Sequence, residues 1–213
     1  DDLELLLSAI SQGQPVSLGH KSSSYRQWYQ ALEKFGERRG LLSQKEYWQN
    51  TIQNYAPLPV DKNYDGKVRA NDTAHYSIKL NAEQTQKLLQ EVPRVYHTEI
   101  NDILLCALAG TLCHWDGRNK VVIGLEGHGR EPITEGIDTS RTVGWFTSLY
   151  PLLLEIDPAH RAGDQIKSVK EQMRKVPGRG LGYGVLKYIN RENTLQGGAD
   201  WDIIFNYLGQ FDN

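Results

Sequence analysis

The sequence lacks the many cysteines, the strong net charge and the long apolar runs that are typical of disulfide-rich, nucleic-acid-binding and membrane proteins. It contains two cysteines and one methionine, and its 24 lysine and arginine residues nearly balance its 26 aspartate and glutamate residues. Its apolar runs all fall well short of the roughly 20 residues that a membrane-spanning helix needs. The net charge of -2 provides no overall attraction to nucleic acid. We therefore expect a globular protein with neither a nucleic-acid nor a membrane partner.

The two cysteines, Cys106 and Cys113, stand seven positions apart in a stretch with helical periodicity. This spacing places them on one helix face but two turns apart, which is too far for a disulfide. No metal-type spacing accompanies them. We expect buried, reduced thiols, as in cytoplasmic proteins, and a chain that binds no metal or cofactor of its own.

Apolar residues at helical spacing predict three helices early in the chain, over residues 3–10, 25–35 and 42–50. Residues 54–72 then contain Pro57, Pro59, Gly66 and several asparagines and aspartates, a composition typical of a loop. We place a boundary between two lobes in this loop, with residues 1–66 before it and residues 67–213 after it.

Strands alternate with helices beyond this loop. Alternating and apolar runs predict strands over residues 74–80, 120–127, 148–157 and 200–209. Between them lie three predicted helices, over residues 81–92 with Asn81 as cap, 98–115 ended by Gly117, and 164–176 with Asp164 as cap. This alternation favours a layered α/β domain.

The stretch EGHGRE places Glu126, His128 and Arg130 at every second position, with glycines between them. If the strand continues through residue 130, these three side chains share one face, and the glycines let a ligand approach closely. A carboxylate held in such a place is suited to accept a proton. The alternative is a polar turn in which Arg130 pairs with Glu126 or Glu131, and spacing alone leaves both interpretations open.

Three further stretches contain candidate site residues. Trp145 lies in GWFTSLYP, where the aromatic residues either line an apolar pocket or pack a loop. Tyr183 lies in a glycine-rich stretch that matches neither a phosphate-binding loop nor a dinucleotide fingerprint. Asn206 interrupts an apolar strand between Phe205 and Tyr207, which indicates either a cross-strand hydrogen bond or a site group.

Five stretches together resemble one known family. They are TEINDILLCALA, EGHGRE, RTVGWFTSLYP, GLGYG and FNYLGQFD, and their order and rough spacing are similar to those in epimerization domains of nonribosomal peptide synthetases. The resemblance covers nearly the whole chain. Related condensation domains share the fold but lack this glutamate-bearing version of the strand, so EGHGRE favours epimerization over peptide-bond formation.

The resemblance implies a chloramphenicol-acetyltransferase-like α/β fold of two lobes with a tunnel between them. Residues 1–66 would be the helical end of the N-terminal lobe and the linker, and residues 67–213 the C-terminal α/β lobe. The implied reaction inverts the α-carbon of an aminoacyl or peptidyl thioester without a cofactor. The substrate would be tethered to the phosphopantetheine of a partner, a peptidyl carrier protein domain.

The resemblance also implies roles for individual residues. Glu126 matches the catalytic glutamate of the family, and Asn206 and Tyr207 match positions that handle the substrate or its enolate. The expected substrate-binding residues are His128, Arg130, Trp145 and Tyr183, the first two acting mainly as supports that position the strand.

One departure from the family bears on the expected activity. Epimerization domains carry a second catalytic group in an HHxxxD motif, whereas the six histidines of this sequence are all isolated from one another. We expect DDLELLL to follow shortly after that motif, so that the missing segment of the N-terminal lobe is a required partner and these residues alone are inactive.

Two alternatives stay open. One is a condensation-type acyl-transfer domain. The other is a non-catalytic lobe that docks a carrier protein, since the segment Lys167–Arg191 contains seven lysines and arginines and a single acid, Glu171. A solvated helix face is the simpler explanation of this basic bias.

Overall fold

The computed structural model describes residues 2–18, 20–62, 64, 66–197 and 200–209. The end of the motif FNYLGQFD and residue Asp1 therefore lie outside the described residues. The α-helices are α1 (Asp2–Ser11), α2 (Tyr25–Gly36), α3 (Arg39–Leu42), α4 (Lys45–Gln53), α5 (Ala82–Gln86), α6 (Val92–Tyr96), α7 (Ile100–Asp116), α8 (Ala162–Arg174) and α9 (Leu181–Gly184). The strands are β1 (Lys120–Gly127), β2 (Ser148–Glu155) and β3 (Ile204–Phe205).

Shorter helical turns complete the list of elements. Two π-helical turns, Lys87–Glu91 and Val185–Ile189, continue α5 and α9, and the 3-10 turns are Ala70–Asp72, Pro177–Gly180 and Asn193–Leu195. Among the described residues, no helix combines the length and the apolar character that a bilayer crossing requires.

The three strands found among the described residues form one mixed sheet in the order β2-β1-β3. β1 and β2 are antiparallel along their full length, from the pair Lys120↔Glu155 to the pair Gly127↔Ser148. β3 runs parallel to β1 on the other side and pairs through Gly124↔Ile204 and Leu125↔Phe205. A sheet with helices packed on it confirms the α/β class.

The core lies where the sheet meets α4, α7, α8 and α9. Its fully buried side chains include Leu105 from α7, Ile123 and Leu152 from the sheet, and Trp48 from α4. The Trp48 ring packs against Tyr183, with ring centroids 5.4 Å apart. Helices from residues 1–66 thus share a core with the sheet, and the proposed lobe boundary at residue 66 stays a prediction.

Local signals in the sequence correctly placed several elements. Asn81 caps α5 by accepting a hydrogen bond from the Gln84 amide, which confirms the predicted capping box. α7 ends before Gly117, whose φ of 74° is the left-handed conformation that glycine adopts easily. Cys106 and Cys113 are free and buried as predicted, and burial raises the pKa of both thiols.

The predicted strand over residues 74–80 is wrong. These residues form neither helix nor strand, and Tyr76 and Ile78 on its apolar side are 95% and 94% exposed. A strand is defined by hydrogen bonds to a neighbouring strand, and within the described part of the chain this segment has no such neighbour. The alternation of apolar and polar residues predicts which side chains share a face, but it carries no information about a neighbouring strand.

Two other boundaries differ from the prediction. α8 begins at Ala162 with Arg161 in the cap position, so Asp164 lies in the first turn and is not the cap. An acidic residue there still interacts favourably with the positive end of the helix dipole. The predicted strand over residues 200–209 is also much shorter in the structure, where only Ile204–Phe205 are paired as a strand.

Candidate active site

The site begins where β1 and β3 end side by side. Because Leu125 and Phe205 are partners in the parallel ladder, the next residues, Glu126 and Asn206, emerge next to each other. The side-chain amide of Asn206 donates a hydrogen bond of 2.6 Å to Oε2 of Glu126. Two residues that lie 80 positions apart in the chain are thus joined directly.

Glu126 and Asn206 face a cleft of about 860 Å³. The start of α7, one side of α8 and the turn after α8 form the other walls, and Tyr207 and His128 also line the cleft. Glu126 is half-buried, whereas Asn206 is exposed. The carboxylate therefore faces a space large enough for a small-molecule substrate and is partly shielded from bulk water.

The strand ends at residue 127 as predicted, so the condition under which Glu126, His128 and Arg130 would share one face, its continuation through residue 130, is not met. β1 ends at Gly127, and Gly129 has a φ of 68°, which turns the chain out of the extended conformation. A side chain at position 129 would overlap the carbonyl oxygen of Phe146. Glu126, His128 and Arg130 therefore do not share one face of a strand.

Arg130 points away from the cleft into the following loop. Its guanidinium donates to the carbonyl oxygens of Thr139 and Thr142, the latter at 2.8 Å, and lies 3.8 Å from the centroid of the Phe146 ring. These contacts tie the end of β1 to the loop that leads into β2. The expected contact of Arg130 with substrate stays a prediction, and its observed partners suit a support.

His128 lines the cleft, but both of its ring nitrogens are engaged. Nδ1 accepts a hydrogen bond of 3.0 Å from the backbone N–H of Arg130, so the ring proton lies on Nε2. Nε2 lies 2.9 Å from Oε1 of Glu131 and donates to it. In this arrangement His128 has no free lone pair with which to accept a proton from a substrate, and Glu126 is the better-placed acceptor.

The remaining predicted site residues lie in three different environments. Tyr207 lines the cleft and is half-buried. Trp145 is 81% exposed and Tyr183 is fully buried in the core. Neither Trp145 nor Tyr183 lies in the cleft with Glu126. Their expected contacts with the substrate stay predictions.

Sequence reasoning missed a cationic wall of the cleft, which consists of Lys170, Arg174 and Arg179. Lys170 and Arg174 are four residues apart on α8 and so share one helix face. The basic bias of this segment was visible in the sequence, but its position opposite the end of β1 was not. The wall places three cations in a cleft that is also lined by the acids Glu99, Asp102 and Glu131.

The start of α7 adds a buried carboxyl group to the same cleft. Asp102 accepts a hydrogen bond of 2.8 Å from the backbone N–H of Glu99. Burial raises the pKa of Asp102, and the Glu99 hydrogen bond and the charges of Arg174 and Lys170 oppose that rise. Arg174 and Lys170 of the cationic wall therefore favour the ionised form of Asp102.

These groups suit the removal of a proton from a carbon acid. Glu126 supplies a carboxylate that can accept the proton. Asn206 supplies an amide donor with one N–H to spare beyond the bond to Glu126. Hydrogen-bond donors and cations near the reacting atoms stabilise negative charge that develops on an oxygen.

Comparison with known proteins gives three kinds of match. The family model "Condensation domain" matches residues 1–213. Bacitracin synthase 3 of Bacillus licheniformis is 41% identical over 100% of this chain, which spans only 3% of that protein. The crystal structure of the epimerization domain from the third module of tyrocidine synthetase B superposes with a TM-score of 0.83 at 38% identity, covering 96% of this chain and 46% of that one.

A more distant structure shares the fold alone. The first condensation domain of the CDA synthetase superposes with a TM-score of 0.70 at 16% identity, covering 95% of this chain and 42% of that one. The chain thus spans less than half of each of these two solved domains.

Proposed function

Because the chain belongs to the condensation-domain family of nonribosomal peptide synthetases, we propose that it forms part of an epimerization domain. The reaction inverts the α-carbon of an aminoacyl or peptidyl thioester tethered to the phosphopantetheine of a peptidyl carrier protein. The observation that carries the proposal is the 2.6 Å hydrogen bond between Asn206 and Glu126 at the cleft. This contact places a carboxylate that can accept a proton beside an amide that can donate a hydrogen bond.

In the proposed reaction, the Glu126 carboxylate takes the α-proton of the thioester. The electron pair of the broken C–H bond moves into the thioester carbonyl and gives an enolate. Asn206 donates to the developing negative charge, and the cationic wall favours the same charge. Return of a proton to the opposite face of the α-carbon completes the inversion, with no net change in atoms or electrons.

Inversion requires a second proton donor on the other face of the substrate. His128 does not serve, since Arg130 and Glu131 occupy its two nitrogens. We assign this role to the HHxxxD histidine of the family, which these 213 residues do not contain. Residues 1–66 then form the helical end of the lobe that provides it.

An isotope experiment tests the proposal directly. The full protein is incubated in deuterated water with a carrier protein bearing an L-aminoacyl thioester, and the amino acid is then released. We expect deuterium at the α-carbon and a D/L mixture. A condensation activity would give a new amide with unchanged stereochemistry, and a carrier-docking lobe would give neither change, so either result contradicts the proposal.

Replacing Asn206 with alanine is expected to slow α-proton exchange by about 10²-fold, the loss typical of one donor to a developing oxyanion. The rate of deuterium incorporation measures it. Asn193→Ala, at another exposed asparagine outside the cleft, is the matched control and should keep the wild-type rate. Equal rates for the two variants would remove Asn206 from the reaction.

A further inference from the structure

The placement of Asn206 depends on a very short strand. β3 pairs with β1 through two residues only, so its backbone ladder has few hydrogen bonds with which to fix its register. A slip of one residue would turn every side chain of the strand to the other face. Asn206 would then leave Glu126, and some other feature must prevent the slip.

A buried polar cluster lies just before β3. The Tyr183 hydroxyl donates a hydrogen bond of 2.6 Å to Oδ2 of Asp200, and the Lys187 ammonium contacts the same carboxylate oxygen and donates to the Tyr183 oxygen at 3.0 Å. The side chains of Lys187 and Asp200 are only 11% and 7% exposed. Separating a buried carboxylate from its cation is strongly unfavourable because it leaves a buried charge without a partner. The contacts with Lys187 and Tyr183 therefore hold the Asp200 side chain in place.

The three residues between Asp200 and β3 are each fixed by contacts of their own. The Trp201 indole lies against Gly124 of β1, where a Cβ atom would come within 2.8 Å of the ring. The Asp202 carboxylate accepts hydrogen bonds of 2.8 Å from the Tyr55 hydroxyl and from the Leu58 amide. The carbonyl oxygen of Ile203 accepts from the Gly124 amide at 2.8 Å.

We propose that Lys187, Asp200 and Tyr183 are positioning residues that set the register of β3 and thereby hold Asn206 against Glu126. The cluster does not line the cleft and acts through Asn206. Its catalytic consequence rests on the proposed function, whereas the register itself does not. This role also accounts for the burial of Tyr183 in the core.

The first measurement does not use activity. Tyr183→Phe removes only the hydroxyl, and hydrogen–deuterium exchange followed by mass spectrometry then reports on backbone amides in the full protein. We expect the peptide containing β3 to exchange about fivefold faster or more, as in a local opening, with β1–β2 peptides unchanged. Tyr47→Phe is the matched control, since Tyr47 also packs on Trp48 in the core but lies outside the polar cluster around Asp200.

The second measurement separates positioning from general destabilisation. We expect Tyr183→Phe to lower the kcat for α-proton exchange about tenfold with little change in KM, and to cause no further loss in the Asn206→Ala background, because both changes act through one residue. Lys187→Met is the second variant, and it should have a larger effect on the β3 peptide.

Three outcomes discriminate between the ideas. Unchanged exchange of the β3 peptide in both variants would overturn the register proposal, as would losses that simply add to that of Asn206→Ala. If the wild-type protein fails to exchange the α-proton while Tyr183→Phe still loosens β3, the proposed function fails and the register proposal stands.

Discussion

Replacement of Glu126 by glutamine is expected to slow α-proton exchange on the carrier-bound thioester by about 10³–10⁴-fold, the upper part of the range for a positioned base. Glutamine keeps the shape of the side chain and an oxygen that accepts the 2.6 Å hydrogen bond from Asn206. Its amide cannot take up a proton at the pH of the reaction. The expected loss is therefore one of chemistry, with the geometry of the cleft preserved.

Deuterium incorporation by the full protein measures this loss, and thermal unfolding measures folding. Because Glu126 is half-buried at the edge of an open cleft, we expect the unfolding free energy to change by no more than about 0.5 kcal/mol. Glu135→Gln, at an exposed glutamate in the loop that follows, should retain full activity. Exchange at the wild-type rate in Glu126→Gln would exclude Glu126 as the base.

Much of the fold could be predicted because the determining signals are local. The apolar run of α7, its stop at Gly117 and the cap of α5 at Asn81 each depend on a few neighbouring residues, and all are confirmed. The apolar runs of β1 and β2 were likewise sufficient. The resemblance to epimerization domains is also confirmed, by a solved domain at 38% identity.

Features that depend on distant partners could not be predicted from spacing. The alternation in residues 74–80 is as regular as that of a true strand, but strand formation depends on a neighbour elsewhere in the chain. The contact between Glu126 and Asn206 depends on the parallel pairing of β3 with β1. The resemblance placed both residues in one site, and only the sheet register brings their side chains into contact.

The shared face considered for EGHGRE fails for a simpler reason. Alternation to residue 130 assumes extended backbone throughout, whereas Gly129 adopts a φ of 68°. A glycine between polar residues is compatible both with close approach of a ligand and with a turn. The sequence alone does not choose between them, and here the turn directs Arg130 to Thr139 and Thr142.

Gly129→Ala is expected to lower the free energy of unfolding by about 2–5 kcal/mol. A side chain in the left-handed conformation costs about 1–2 kcal/mol, and overpacking adds about 1–3 kcal/mol. The overlapping atom is the backbone carbonyl oxygen of Phe146, which cannot move aside as a flexible side chain would. Urea denaturation of wild type and variant measures the change.

Gly136→Ala isolates the first of these contributions, the cost of the left-handed conformation. Gly136 also has a positive φ, of 79°, but no atom lies within 4 Å of an added Cβ, so this variant should lose only about 1–2 kcal/mol. Equal destabilisation of the two variants would show that the Phe146 carbonyl yields freely.

Relief of the overlap at Gly129 requires the chain near Phe146 to move, and Ser148 of the same segment pairs with Gly127, next to Glu126. We therefore expect Gly129→Ala, unlike Gly136→Ala, to slow α-proton exchange as well, because it separates the strand ends that aim the carboxylate into the cleft.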